Sequence, residues 1–165
     1  KSLQILGGEK DYTKYGLEAR YYLPLNFSKM PFDLPEPDPD NPPIFAVRLK
    51  TGFSSGEVPY SELYFIGGSN TLRGYEDDQF EGHEMFLTNI EFRVPFQKSF
   101  TIALFYDAGM AWNKNAPDHN SFSFSDLKDS YGFGVRVKTP MGNLRFDVAN
   151  GENETFTHFG FGEMF

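Results

Sequence analysis

The chain has 165 residues, a net charge of −8, nineteen Phe, nine Tyr, one Trp and no Cys. An acidic chain lacks the basic footprint that nucleic acid requires, the absence of cysteine excludes a disulfide framework or a thiolate metal site, and no run approaches the roughly 18 apolar residues of a transmembrane helix. The length fits one domain or a piece of one, and Lys1-Ser2-Leu3-Gln4 leads straight into alternating residues, so no signal peptide is expected there.

Period-2 alternation recurs along the chain, whereas helical spacing does not. A short strand is expected at Ser2 to Leu6. Tyr12 to Leu23 sets Tyr15, Leu17, Ala19, Tyr21 and Leu23 against Lys14, Glu18 and Arg20. Asn26 to Pro43 carries Pro35, Pro37, Pro39, Pro42 and Pro43 among acids and reads as an irregular, solvated excursion. Ile44 to Phe53 alternates Phe45, Val47, Leu49 and Phe53 against Arg48 and Lys50, and a long connection, Ser54 to Gly82, follows. Glu84 to Phe96 sets Phe86, Ile90, Phe92, Val94 and Phe96 against Asn89, Glu91 and Arg93, ending in a tight turn at Gln97-Lys98-Ser99.

Phe100 to Trp112 sets Ile102, Leu104, Tyr106, Ala108, Met110 and Trp112 against Ala103, Phe105, Asp107, Gly109 and Ala111, before a second long connection, Asn113 to Asp129. Ser130 to Lys138 and Asn143 to Ala149 flank a turn at Pro140-Met141-Gly142, and Asn150 to Glu154 leads into a last strand, Thr155 to Phe165. The expectation is an all-β chain of about seven or eight antiparallel strands with no significant helix, each ~10 residues long, the length that crosses a bilayer when tilted. Short turns on one side and longer connections on the other match the asymmetry of outer-membrane barrels.

A soluble sandwich also alternates, so the polar face decides between the two. In a sandwich that face meets water and favours Lys, Glu and Thr. Here it carries Gly109, Gly132, Gly134, Gly160 and Gly162 with isolated charges of both signs, Glu91, Arg93, Asp107, Arg136, Arg145 and Asp147, which suits a crowded, wet lumen. The other face carries Tyr21, Phe96, Trp112 and Tyr131 near strand ends, as interface girdles do.

Gly67-Gly68-Ser69-Asn70-Thr71-Leu72-Arg73-Gly74-Tyr75 places one cation in a glycine-rich loop, whose backbone reaches conformations closed to other residues. A guanidinium held away from bulk water demands a carboxylate. Asp107, mid-strand on the polar face, would meet Arg73 if the loop folds into the lumen, and a bidentate contact would pin it there. The bland alternative makes Arg73 a surface charge and pairs Asp107 with Arg136 or Arg93.

Pro59 to Gly68 followed by Thr71-Leu72-Arg73-Gly74-Tyr75 resembles the sixth extracellular loop of the BamA/TamA superfamily of outer-membrane assembly and secretion pores, the bacterial surface antigen family, whose motif is arginine-glycine-aromatic after paired glycines. Phe105-Tyr106-Asp107-Ala108-Gly109 resembles its aromatic-x-Asp-x-Gly strand motif, Tyr131 to Asp147 its next hairpin, and Phe159-Gly160-Phe161-Gly162-Glu163-Met164-Phe165 its closing strand. Glu163 departs from the pattern, in which an apolar residue is more usual two positions before the terminal aromatic. The resemblance implies the second half of a sixteen-stranded transmembrane barrel, with residues 1–165 its carboxyl-terminal part and the POTRA domains and first barrel half absent. It implies a lock of Arg73, Gly74, Tyr75, Gly67, Gly68, Asp107 and Gly109, and a carboxyl-terminal strand signal in Phe159, Phe161 and Phe165.

The implied location is the bacterial outer membrane. The implied partners are its lipid, client outer-membrane or secreted proteins, and the missing barrel half or a second copy; no enzyme activity, metal or other cofactor is expected. Alternatives are a barrel anchoring an amino-terminal enzyme such as a patatin-like lipase, and a small barrel binding apolar ligands. His83 with Glu84, Asp118 with His119, and Glu76-Asp77-Asp78 lack the further ligands of a metal site and read as solvated loop residues. His158 lies on the polar face with no serine in a nucleophile setting.

Overall fold

The computed structural model of the chain describes residues 11–25, 41–97, 99–113 and 122–165. Its strands are β1 (Tyr12–Pro24), β2 (Ile44–Gly56), β3 (Tyr64–Ile66), β4 (Phe80–Gly82), β5 (Glu84–Gln97), β6 (Phe100–Trp112), β7 (Lys128–Thr139), β8 (Gly142–Asn150) and β9 (Thr155–Phe161). Seven of them form one antiparallel sheet in the order β1-β2-β5-β6-β7-β8-β9, while β3 and β4 form a separate ribbon inside the connection from β2 to β5. Among the described residues the outer edges of β1 and β9 pair with no strand, so the sheet is an open barrel segment. The helical content described is two single 3-10 turns, Tyr60–Glu62 and Phe124–Asp126.

Register carries the alternation of each strand into rows across the sheet. One concave-face row runs Arg20, Arg48, Asn89, Asp107, Ser130, and the next runs Tyr22, Ala46, Glu91, Phe105, Gly132, Ala149, Phe156. Burial is inverted relative to a water-soluble protein. Arg48, Asn89, Glu91, Arg93, Asp107, Arg136, Arg145 and Asp147 are buried on the concave face, while Leu17, Tyr21, Leu49, Phe53, Leu104, Phe133, Phe146 and Phe159 are exposed on the convex face. Charges turned inward and aromatics outward are what a lipid-facing barrel wall requires.

Several boundaries differ from the sequence expectation. The last strand stops at Phe161, where Gly162, at φ +81°, turns the chain inward. Met164 and Phe165 are then buried with Ala46 against Ile44, so Phe165 does not share the convex face with Phe159 and Phe161. Trp112 is no open interface aromatic, because the ring of Phe122 covers it at 5.9 Å and also meets Phe86 at 5.2 Å. The long connections are shorter than expected, since β2 continues to Gly56 and β7 begins at Lys128. Pro43 is buried and its carbonyl accepts from Leu25 N at 2.8 Å, which fastens the far end of the proline-rich excursion. The expected strand at Ser2 to Leu6 and most of that excursion, 26–40, lie outside the described residues.

Candidate functional site: the arginine loop and its seat

The loop that bears Arg73 leaves β3 through two glycines at positive φ, Gly67 (+128°) and Gly68 (+85°). A Cβ at Gly67 would strike the Glu76 carbonyl and one at Gly68 the Asp77 side chain, so the outgoing and returning arms lie backbone to backbone. Thr71 Oγ1 donates to Gly67 O at 2.6 Å and accepts from Gly67 N at 2.8 Å. Thr71 N donates to Gly68 O at 3.1 Å, and Tyr75 N to Leu72 O at 3.3 Å. These turns send consecutive side chains, Leu72 and Arg73, into the lumen, both with 0% exposure.

Leu72 packs with Ile66, Tyr75, Met85 and Leu87, an apolar cluster flanked by Tyr64, Phe80 and Ala111. Arg73 meets charge instead. Its Nε donates to Asp107 Oδ2 at 2.8 Å and its Nη2 to Asp107 Oδ1 at 2.7 Å, a bidentate fork. Its Nη1 donates to Glu91 Oε1 and lies 3.6 Å from Asp147 Oδ2. The guanidinium carbon sits 3.4 Å from the Phe105 ring centroid, a cation–π contact out of water. Burial pulls the Arg73 pKa down, but Asp107, then Glu91 and Asp147, more than offset it, so the group stays charged above its ordinary value.

The acids are shared with neighbouring arginines. Glu91 Oε2 accepts from Arg93 Nε at 2.7 Å, and Asp147 Oδ1 accepts from Arg136 Nη1. Arg145 Nε lies 3.4 Å from Asp147 Oδ2. Asp107 differs: its remaining side-chain contact is Asn89 Nδ2 at 2.7 Å, and Arg73 is its one cation among the described residues.

The loop is also held by its backbone. Arg145 Nη2 donates to Ser69 O at 3.1 Å, Arg48 Nη2 to Asn70 O at 2.7 Å and Asn89 Nδ2 to Thr71 O at 2.7 Å. The Nε2 of His158 stands 2.7 Å from Arg73 O. Carbonyls along one loop are thus taken by side chains from β8, β2, β5 and β9. At the loop's end a Cβ on Gly74 would strike Ser130 and Gly151, and Tyr75 Oη donates to Asp129 O at 3.0 Å.

Of the residues singled out in the sequence, Arg73, Gly74, Tyr75, Asp107, Glu91, Arg136, Arg145 and Asp147 gather at or around this seat, with Gly67 and Gly68 at its neck. Gly109 lies farther along β6 against Phe86 and Leu87 of β5, where a Cβ would not fit. Phe165 lies below the seat, its ring centroid 5.1 Å from both Arg48 Cζ and Arg93 Cζ. Glu163 lies at the lumen margin, 3.7 Å from Arg93 Nη1 and 3.6 Å from Arg136 Nε. Asn89, Arg48, His158 and Gly151 also build the seat, although no motif in the sequence marks them for it. The available signal was register: Asn89 sits opposite both Arg48 and Asp107.

The candidate metal residues do not converge: His83 Nδ1 contacts Asn113 Oδ1 at 2.6 Å, and Glu76, Asp77 and Asp78 are exposed. Asp118 and His119 lie outside the described residues.

Residues 2–165 match the family described as the Omp85 superfamily domain. The outer membrane protein assembly factor BamA of Nitratidesulfovibrio vulgaris is 33% identical over 105 residues, covering 55% of this chain and 13% of that protein. The chloroplastic outer envelope protein 80 of Arabidopsis thaliana is 30% identical over 127 residues, 73% of this chain and 17% of that protein. Outer envelope protein 39 of the same plant is 30% identical over 125 residues, 72% and 34% respectively. The matched stretches therefore span between 13% and 34% of these relatives' lengths. The crystal structure of BamA from Haemophilus ducreyi lacking POTRA domains 1-3 superposes with a TM-score of 0.69 at 19% identity, over 90% of this chain and 34% of that one, a likeness of fold.

Proposed function

The chain belongs to the Omp85 superfamily of outer-membrane and outer-envelope β-barrels, and from that premise we propose that it is the carboxyl-terminal part of a barrel that inserts or exports other chains, with the Arg73 loop locked inside its lumen. Its partners on this reading are membrane lipid, client outer-membrane or secreted proteins, and the strands that complete the barrel, supplied by the rest of the parent or by a second copy. The outer edges of β1 and β9, which pair with no strand among the described residues, support the last partner, because an exposed edge strand is a template for further pairing.

The observation that carries the lock is the fully buried Arg73 forked onto Asp107, with Glu91 and Asp147 beside it. The test is client insertion into liposomes by the intact parent protein bearing Arg73→Ala. The expected result is an assembled barrel with insertion reduced at least about tenfold, matching loss of ~1.4 kcal/mol or more of loop positioning. Unchanged insertion together with an unchanged protease pattern at the loop would overturn the reading.

A further inference from the structure

The edge strand β9 holds the arginine loop through a side chain that neither the charge pattern nor the loop motif uses. β9 is laddered to β8 on one side and, among the described residues, to no strand on the other. Its concave-face residues are Phe156, His158 and Gly160, opposite Ala149, Asp147 and Arg145 of β8. Phe156 stacks on His158 at 6.3 Å with the rings 11° from parallel. The Nε2 of His158 lies 2.7 Å from Arg73 O. A carbonyl can only accept, so Nε2 carries the hydrogen and donates.

The same hairpin grips the loop at two other heights. Arg145 Nη2 donates to Ser69 O at 3.1 Å and to Asn70 Oδ1 at 3.0 Å. Gly160 leaves room for that guanidinium, since a Cβ there would lie 3.3 Å from Arg145 Nη2. Beyond β8, Gly151 and Gly74 pack backbone on backbone, too close for a side chain on either. Arg145 and Gly151 belong to β8 and to the turn after it, so their contacts with the loop are made from outside β9. His158 is different, because its contact moves with β9.

We infer that His158 is a positioning residue that ties the edge strand to the Arg73 loop, so that β9 leaves the sheet only when the loop's Arg73 carbonyl is released. The inference rests on the loop being seated in the lumen as proposed above. Strand opening and loop release then become one coupled event at a single hydrogen bond, with the Arg73 side chain fixing the other end of the same residue.

The test is hydrogen–deuterium exchange on the intact parent protein in lipid, following residues 69–75 and 155–161 in wild type, His158→Leu, His158→Gln and Arg73→Ala. His158→Leu should speed exchange in both segments together by about five- to tenfold, the size expected for one net hydrogen bond. His158→Gln, whose carboxamide N–H also donates, should restore both. Faster exchange confined to 155–161, no change in either segment, or failure of glutamine to rescue would each overturn the tie. Arg73→Ala separates the two ideas: if it leaves exchange at 69–75 unchanged, the seated loop itself is wrong, whereas a loosened loop with a null His158→Leu sinks the tie alone.

Discussion

Leu72 and Arg73 are adjacent, equally buried, and face opposite kinds of surroundings. Leu72 enters the apolar cluster of Ile66, Tyr75, Met85 and Leu87 toward the long-connection side of the lumen. Arg73 enters the charged layer of Asp107, Glu91 and Asp147 toward the short-turn side. The apolar half is non-directional: it favours burial of the loop but would accept a shifted loop almost as well. The charged half is directional, since a planar fork meets one carboxylate in one geometry. Seating therefore comes from one half and register from the other, and a network with every acid partnered avoids the penalty of isolated buried charge.

The largest effect should come from the charged half. Arg73→Ala leaves Asp107 buried with Asn89 and no cation among the described residues, whereas Glu91 keeps Arg93 and Arg136, and Asp147 keeps Arg136 and Arg145. The expected cost is ~3–5 kcal/mol, the range for breaking a buried pair. Adding Asp107→Asn to Arg73→Ala removes the stranded charge and should recover part of it, while adding Glu91→Gln should recover none. Denaturant midpoints of the reconstituted parent would measure this; equal recovery by both second substitutions would mean the acids are interchangeable and the directional account is wrong.

Leu72→Ala attacks the other half. It removes a fully buried side chain from a tightly packed apolar cluster and should cost about 2–5 kcal/mol through lost transfer and a residual cavity. The two substitutions should differ in their effect on register. In Leu72→Ala the Arg73 fork should survive, so the loop stays in place with weaker protection from protease, whereas Arg73→Ala should let it shift. Cysteines at positions 70 and 48, bridged by a bis-thiol reagent about as long as the Arg48 side chain that spans this gap to Asn70 O, would report register. Loss of that cross-link in Leu72→Ala would erase the distinction between the halves.

Much of this was legible in the sequence, and the remainder was hidden for physical reasons. The strands of the main sheet and their faces followed from period-2 alternation, because the lumen tolerates charge at every second position and lipid tolerates none, whereas the three-residue β3 and β4 are too short to alternate and read as loop. Arg73 and Asp107 stood out as isolated charges in glycine and aromatic surroundings. That Arg73 meets three acids depends on register and curvature, which bring β5, β6 and β8 to one point and leave no mark on any single strand. The grips on Ser69, Asn70, Thr71 and Arg73 use carbonyls that every residue possesses, so side-chain identity could not announce them. Phe165 continued the alternation on paper but turns inward, because Gly162 adopts a φ that ends the strand.

The smallest effect is expected at the margin of the charged half, at Glu163. Its carboxylate is one-third exposed, and it lies 3.6–3.7 Å from Arg136 and Arg93, beyond good hydrogen-bond range. It accepts a hydrogen bond from Asn143 Nδ2 at 2.9 Å. A pair screened by water contributes about 0–1 kcal/mol, so Glu163→Leu should barely move the denaturant midpoint. The substitution also removes an acid from beside a layer in which Arg48, Arg73, Arg93, Arg136 and Arg145 outnumber the buried acids Glu91, Asp107 and Asp147. If Glu163 balances that excess, low salt should widen the difference between Glu163→Leu and wild type, and high salt should close it. A salt-independent loss above about 2 kcal/mol would instead place Glu163 inside the directional network, and the boundary between the two halves would have to move down to the end of the chain.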